Sequence, residues 1–355
     1  MRIPTIDTVY GVTLFEGALL EAPLRSRFSS LSILGLIILP CITAICALSI
    51  GRFPIPLSDT LHILAGSPNV NNQMNIVIRN IRIPRIILAM LVGSGLSVSG
   101  VAFQSLFTNP LATPDTIGVA SGASLGAVLA ITLGFSLIGI QIMALIFGLI
   151  AIFLTFMTGS SKKEMSPATV ILAGIIIGAL FNAFITLVKY TADAETELPN
   201  ITYWLMGSLS SANYHSLLLG APFIIIGIGI FTLLRWRLNI LSLTLDEAKS
   251  TGTNVKFLRL VTVISATLIT ASAVSMCGQV GWVGLLVPHA CRMVFGSDTS
   301  KLVPSSISFG ATFMIIIDTL ARSATSSEMP ISVLTALIGA PFFILLLKRT
   351  GGWSL

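Results

Sequence analysis

The stretch Arg82–Ala127, RIPRIILAMLVGSGLSVSGVAFQSLFTNPLATPDTIGVASGASLGA, decides how the rest of the chain is read. Arg82 and Arg85 flank Pro84, and no charge follows from Ile86 to Pro114. Within that run Gly93, Gly95 and Gly100 alternate with Ser94, Ser97 and Ser99 among Leu, Val and Ile. Small residues at this density let apolar helices approach closely, which matters where lipid removes the usual hydrophobic drive. Asn109-Pro110 and Pro114 mark a tight break. Gly118, Gly122 and Gly126 then recur every four residues, which predicts one small-residue face on a second helix. The stretch reads as a basic threshold, a helix, a Pro-marked re-entry and a second close-packed helix.

Outward from it the composition agrees. Charged residues make up 10% of the 355, against about 25% in soluble domains. Hydrophobic residues make up 54%, and the mean hydropathy is +0.95. Such a chain belongs in a bilayer, and its net charge of +6 is read as membrane-orienting, with no nucleic-acid partner. Cys41, Cys46, Cys277 and Cys291 lie in apolar runs without CxxC spacing and read as small buried hydrophobes. His62, His215 and His289 are scattered, so no metal site is expected. Residues 1–30 lack the basic start and immediate apolar core of a signal peptide, and are expected to form a cytosolic N-terminal tail.

A spanning helix needs about 20 mostly apolar residues. On that measure spans are expected at residues 28–51, 86–106, two between 116 and 161 with a joint at 134–139, 168–188, 215–234, 260–276, 303–320 and 331–347, with a short helix at 288–295. Residues 52–85 are too polar to span, and WLMGSLSS, Trp204–Ser211, reads as a short interfacial segment. The expectation is an all-α polytopic membrane protein with about ten transmembrane helices in one domain, residues 31–350. With the N-terminus inside, Arg52, Arg79, Arg82, Arg85, Lys189 and Arg322 fall outside, six of the 20 basic residues. The excess inside favours cytoplasmic N- and C-termini. Arg82, Arg85 and Arg322 then stand at the outer lip of a span.

Three blocks carry a resemblance. The first is the opening stretch, the second is LDEAKSTGTNV at Leu245–Val255, and the third runs from GQVGWVGLLVPHACRMVFGSD through IDTLAR to MPISVLTALIGAPFFILLLKR, ending at Arg349. In order and spacing they resemble the FecCD-type permeases of ABC importers, the vitamin B12 type, over about residues 30–350. Thr108, Thr251, Trp282 and Ser332 depart from the family pattern.

The resemblance implies a subunit of the bacterial cytoplasmic (inner) membrane that works with a second permease copy or sister permease. Its other partners would be an extracytoplasmic substrate-binding protein and ABC ATPase subunits. No cofactor and no catalytic residue are expected in this chain, which lacks a GxxxxGK[ST] loop, so ATP would be bound by the ATPase partners. The implied cargo is a ferric siderophore, with haem and cobalamin open. The RxPR and DxxAR motifs would place Arg82, Arg85 and Arg322 against carboxylates of the binding protein, where a planar guanidinium grips bidentately; as plain residues they also read as snorkelling anchors. The 235–259 loop would carry the coupling segment, with Leu245, Ala248, Gly252 and Val255 as its ATPase contacts; otherwise it is a solvated loop. The passage between permeases would follow the fifth and tenth spans, where Gly174, Gly178 and Asn182, and Thr335 and Gly339, share faces that line a path or pack on a neighbour.

Two other classes compete. A stand-alone secondary transporter needs midplane ionisable groups, for which Asp115 and Asp318 are the candidates, both near span ends. An intramembrane enzyme would need a partner for Ser99 or Ser121, and no His or Lys stands at a credible depth.

Overall fold

A computed structural model describes residues 30–67, 71–159 and 167–349. Among these there is no strand. The helices are α1 Ser30–Ser49, α2 Leu57–Leu64, α3 Ile83–Leu106, α4 Val119–Thr132, α5 Leu137–Gly159, α6 Pro167–Thr191 and α7 Glu197–Leu205. They continue with α8 Tyr214–Leu234, α9 Leu245–Ser250, α10 Val255–Cys277, α11 Val283–Phe295, α12 Thr299–Ser323 and α13 Ile331–Arg349. Seven helical stretches are long and apolar enough to cross a membrane, and three shorter apolar helices (α4, α11 and most of α13) bring the total among the described residues to ten. The expected tail, residues 1–30, lies outside the described residues apart from Ser30. Contacts divide the chain into Met1–Gly35 and Leu36–Leu355; the second unit holds the core and every site considered below.

Its centre is α3. Along the stretch Asn72–Leu106, 83% of the best apolar window is buried, against 28% for α5. α12, α10, α11 and α8 all pack against α3. The small residues permit this: a methyl group on Gly93 would strike the Gly310 carbonyl of α12, and one on Gly100 the Gly284 carbonyl of α11. Gly93 and Gly100 therefore let backbones meet where any side chain would force them apart.

The re-entry after α3 is built from its own polar side chains. The Asn109 side chain accepts from the Leu111 amide at 2.9 Å. A single 3-10 turn, Asp115–Ile117, then ends on Gly118 with φ +83°. This left-handed residue starts α4, so the expected glycine face divides in two. Gly122 and Gly126 meet α5 at Phe147 and Met143, whereas Gly118 sits against Gly174 and Gly178 of α6.

Other boundaries differ from the sequence reading for physical reasons. The polar threshold 52–85, expected not to span, is not loop: α2 lies within it, and Asn72–Ile76 and one wide turn, Val77–Arg82, run unbroken into α3, so that residues 72–85 belong to the long apolar stretch Asn72–Leu106. α10 begins at Val255, five residues before the expected start, because Asn254 caps it by accepting from the Phe257 amide at 3.1 Å. Lys256 and Arg259 consequently belong to its first turns. Cys277 and Cys291 are buried, but Cys41 and Cys46 are exposed on α1, which corrects the reading of all four as buried.

Candidate functional site

At one end of the bundle, α1 finishes while α3 begins and α12 ends, and their charges converge. Arg82 donates to the carbonyls of Leu48 and Phe53. Arg322 donates to those of Ala47 and Ile50. Three of these four carbonyls lie in the last turn of α1 or directly after it, where helix geometry leaves acceptors without partners. A cation there also complements the negative end of the helix dipole. Arg85 works differently: its Nε donates to Asp318 at 2.8 Å, and its two terminal nitrogens grip Glu328 at 2.9 and 3.0 Å. Asp318 also lies 3.6 Å from Arg322. The cluster thus braces α1, α3, α12 and the turn before α13.

Arg82, Arg85 and Arg322 are only 5, 7 and 8% exposed. The guanidiniums expected to reach outward turn inward and are engaged within the chain. The arginines left on the surface at this end are Arg52 and Arg79, which donate to the carbonyls of Thr325 and Ile63, and Lys189 in the last turn of α6 is half-buried. Glu328 was not singled out by sequence, since its partner is 243 positions away; the available signal was a lone acid two residues before Pro330 in an otherwise uncharged loop. Asp318, a candidate carboxylate for ion coupling, is held between two arginines.

The opposite end carries the short helix α9. Thr244 and Glu247 form a capping box, with Glu247 accepting from the Thr244 hydroxyl at 2.8 Å and from its amide at 3.0 Å. These two bonds, the hydroxyl's foremost, hold the Glu247 carboxyl below the usual carboxylate range. Of the expected contact residues, Ala248 and Val255 are buried in the main core cluster, so they anchor α9 and cannot meet a partner in this conformation. Gly252 is exposed, with φ +70° and open space around it. The Leu245 side chain lies outside the described residues. Beside α9, Asn239 donates to Asp298 at 2.9 Å and accepts from the Thr299 amide, tying the preceding turn to the start of α12.

The path residues divide likewise. Gly174 and Gly178 back onto the Thr116–Gly118 turn, and Gly339 is covered by the Trp282 ring. Thr335 is fully buried and donates to the Ser332 carbonyl. Packing therefore accounts for four of the five, and only Asn182 is exposed. The open faces of α6 and α13 are instead apolar, with Ile175, Ile176 and Leu180 on one and Val333, Leu337 and Ile338 on the other. Trp282, one of the departures from the family pattern, has φ +69° and its ring lies on Gly339, so a tight turn and a glycine occur together there. His289 lies among Phe342 and Phe343.

A centrally packed bundle with ten apolar helices among the described residues, cross-braced at one end and bearing a capped, anchored short helix at the other, is that of a polytopic membrane protein. The model of the FecCD transport family matches residues 37–349. A molybdate import system permease of Haemophilus influenzae is 41% identical over 89% of this chain and 96% of its own. A probable iron chelatin transport permease of Helicobacter pylori is 37% identical over 79% and 85%. A solved metal-chelate-type ABC transporter in an inward-facing conformation superposes with a TM-score of 0.82 at 38% identity, covering 90% of this chain and all of that one. The chain belongs to the FecCD transport family, and is a permease of the ABC importer type.

Proposed function

We propose that this chain is the membrane subunit of a binding-protein-dependent importer in a bacterial cytoplasmic membrane, with both termini cytoplasmic, and that it moves a ferric siderophore. Two copies, or this chain and a sister permease, would face each other across the open sides of α6 and α13. The observation that supports the cargo reading is that these faces are uncharged and, Asn182 apart, apolar over their middle turns. A bulky chelate needs a wide path that holds it weakly, and a wall without charges supplies that. The chain contributes no catalytic residue or cofactor; ATP would be bound and hydrolysed by two ATPase subunits docked at the α9 end.

The burial of Arg82, Arg85 and Arg322 revises their expected role. They support the outer lip, and contact with the binding protein falls to the exposed Arg52 and Arg79, with Arg85 reachable only if Glu328 lets go. At the α9 end, contact with the ATPase falls to the outward side of α9 and Gly252, on a base set by Ala248 and Val255.

A second reading has its own support. The 41% identity to a molybdate permease spans nearly that whole protein, so a small oxyanion is the competing cargo. Uptake by cells lacking and regaining this chain separates them. Loss and rescue of radioiron supplied as a siderophore, with molybdate uptake unchanged, supports the first reading. The reverse pattern establishes the second.

A further inference from the structure

A cleft of about 280 Å3 opens between the last turn of α8 and the first turns of α10, lined by Leu233, Leu234, Asn254, Phe257 and Val261 with Arg237 at its edge. Its walls are almost wholly apolar, and its size is at the low end for small-molecule pockets. It suits part of an acyl chain better than a polar solute. Leu233 is 78% exposed and Phe257 63%, so the cleft faces outward from the bundle. Neither α6 nor α13 lines it: its walls come from α8, α10 and the residues just before α10.

Its depth can be read from the residues around it. Ile225 and Ile226 are exposed along α8, as hydrocarbon requires. One turn beyond Leu233 the character changes: the exposed Trp236 carries the Arg235 guanidinium 3.9 Å from its ring centroid. Tryptophan with arginine at a helix end marks the headgroup level. Arg237 lines the cleft and is exposed, and Lys256, one residue before Phe257, is exposed in the first turn of α10; neither has an ion-pair partner among the described residues. Thr253 and Asn254 add neutral polar groups at the mouth. The nearby acids are otherwise engaged, Asp246 with Lys249 and Glu247 with Thr244.

We infer that this cleft is a seat for one anionic phospholipid, its acyl chain between α8 and α10 and its phosphate held by Arg237 and Lys256. The seat borders α9, since Asn254 and Val255 follow it directly, and it lies in whichever leaflet α9 faces. The inference does not depend on the cargo.

The test uses the full chain in nanodiscs of phosphatidylcholine containing either brominated phosphatidylglycerol or brominated phosphatidylcholine. Quenching of Trp236 is isolated by subtracting the signal of Trp236→Phe. A basic residue near an anionic headgroup is worth about fivefold in association, so brominated phosphatidylglycerol is expected to quench at a five- to twenty-five-fold lower mole fraction. Arg237→Gln should remove about fivefold of that preference, and Val261→Phe, which fills the cleft, should weaken quenching by both lipids. Arg237 is exposed, so its variant is expected to fold, with gel filtration as the check. Equal quenching by the two lipids means ordinary boundary lipid and overturns the seat. An undiminished preference in Arg237→Gln overturns the headgroup assignment, and no quenching by either lipid means that something else covers the cleft.

Discussion

Asp318 is the position at which the arginine cluster is most exposed to test. Its carboxylate is 1% exposed and stands between two buried guanidiniums, 2.8 Å from Arg85 Nε and 3.6 Å from Arg322 Nε. In Asp318→Leu, Arg85 keeps its two bonds to Glu328, and Arg322 keeps its two backbone carbonyls. What Arg322 loses is its nearest counter-charge, 3.6 Å away. Removing one partner of a buried pair costs about 3–5 kcal/mol, chiefly through the charge left uncompensated. Glu328 is different, because its side chain is 26% exposed; Glu328→Gln should cost no more than about 1 kcal/mol. The assay is heating in detergent with a thiol-reactive fluorogenic dye, in a Cys41→Ser/Cys46→Ser background. The remaining thiols, Cys277 and Cys291, are 3% and 0% exposed and report opening of the core. The single variant should melt on the order of 5–10 °C lower. The reasoning fails if Asp318→Leu melts within a degree of the parent, or if Glu328→Gln is as damaging.

Reversing the exposed Arg52 and Arg79 together to Glu should weaken capture of the loaded binding protein by about three- to tenfold at low salt, with little difference near 1 M salt, where charges are screened beyond about 3 Å; an unchanged affinity at low salt in a surface-capture assay returns the contact to another part of the lip. Gly252 has φ +70° in open space, so Gly252→Asn should be tolerated while Gly252→Val strains the turn by about 1–3 kcal/mol and lowers co-purification of the ATPases; equal behaviour of the two would exclude the backbone explanation. The lowered pKa of Glu247 sets a sign: its contribution to α9 is complete above the ordinary carboxylate range and is lost as pH falls through the lowered folded value. A nitroxide on Lys249→Cys should therefore show constant mobility from about pH 6 to 8 and fraying only in acid, and fraying already at pH 6 would contradict the capping geometry.

The helices were legible because lipid simplifies the pattern to charge-free runs between polar joints; the joint expected at 134–139 falls between Thr132 and Leu137. The small-residue run 93–100 was legible too, since nothing but close approach explains its density. The sites were less so. RxPR and DxxAR singled out three arginines that the fold brings together, but could not show which way they point, because the α1 carbonyls and Glu328 that receive them are distant in sequence. Ala248 and Val255 read as surface because they sit in a charged loop, yet each is the apolar member that fixes that loop to the bundle. For Gly174 and Gly339, four-residue spacing defines a face without saying what covers it. In both cases the cover is a turn, at Thr116–Gly118 and at Trp282, and turn partners leave no periodic signal.

The burial of Ala248 bears on how movement at α9 would reach the passage. Ala248, Leu241, Val255 and Leu258 share one contiguous core cluster with Val98, Val101 and Phe103 of α3. The turn before α9 is fixed to the start of α12 through Asn239, Asp298 and Thr299. Interiors packed at this density transmit displacement and do not absorb it. A partner that shifts α9 therefore acts on α10, α3 and α12 together. Of these, α3 and α12 reach the Arg82, Arg85, Asp318 and Arg322 cluster at the far side, where they and the turn before α13 are joined by charge-assisted bonds. α6 stands outside this rigid set: it packs on α4, α5 and the Asp115–Ile117 turn, with glycine contacts at Gly118, Gly174 and Gly178. A braced centre and a side helix seated on small residues thus stand next to each other, and α6 carries one of the two open apolar faces.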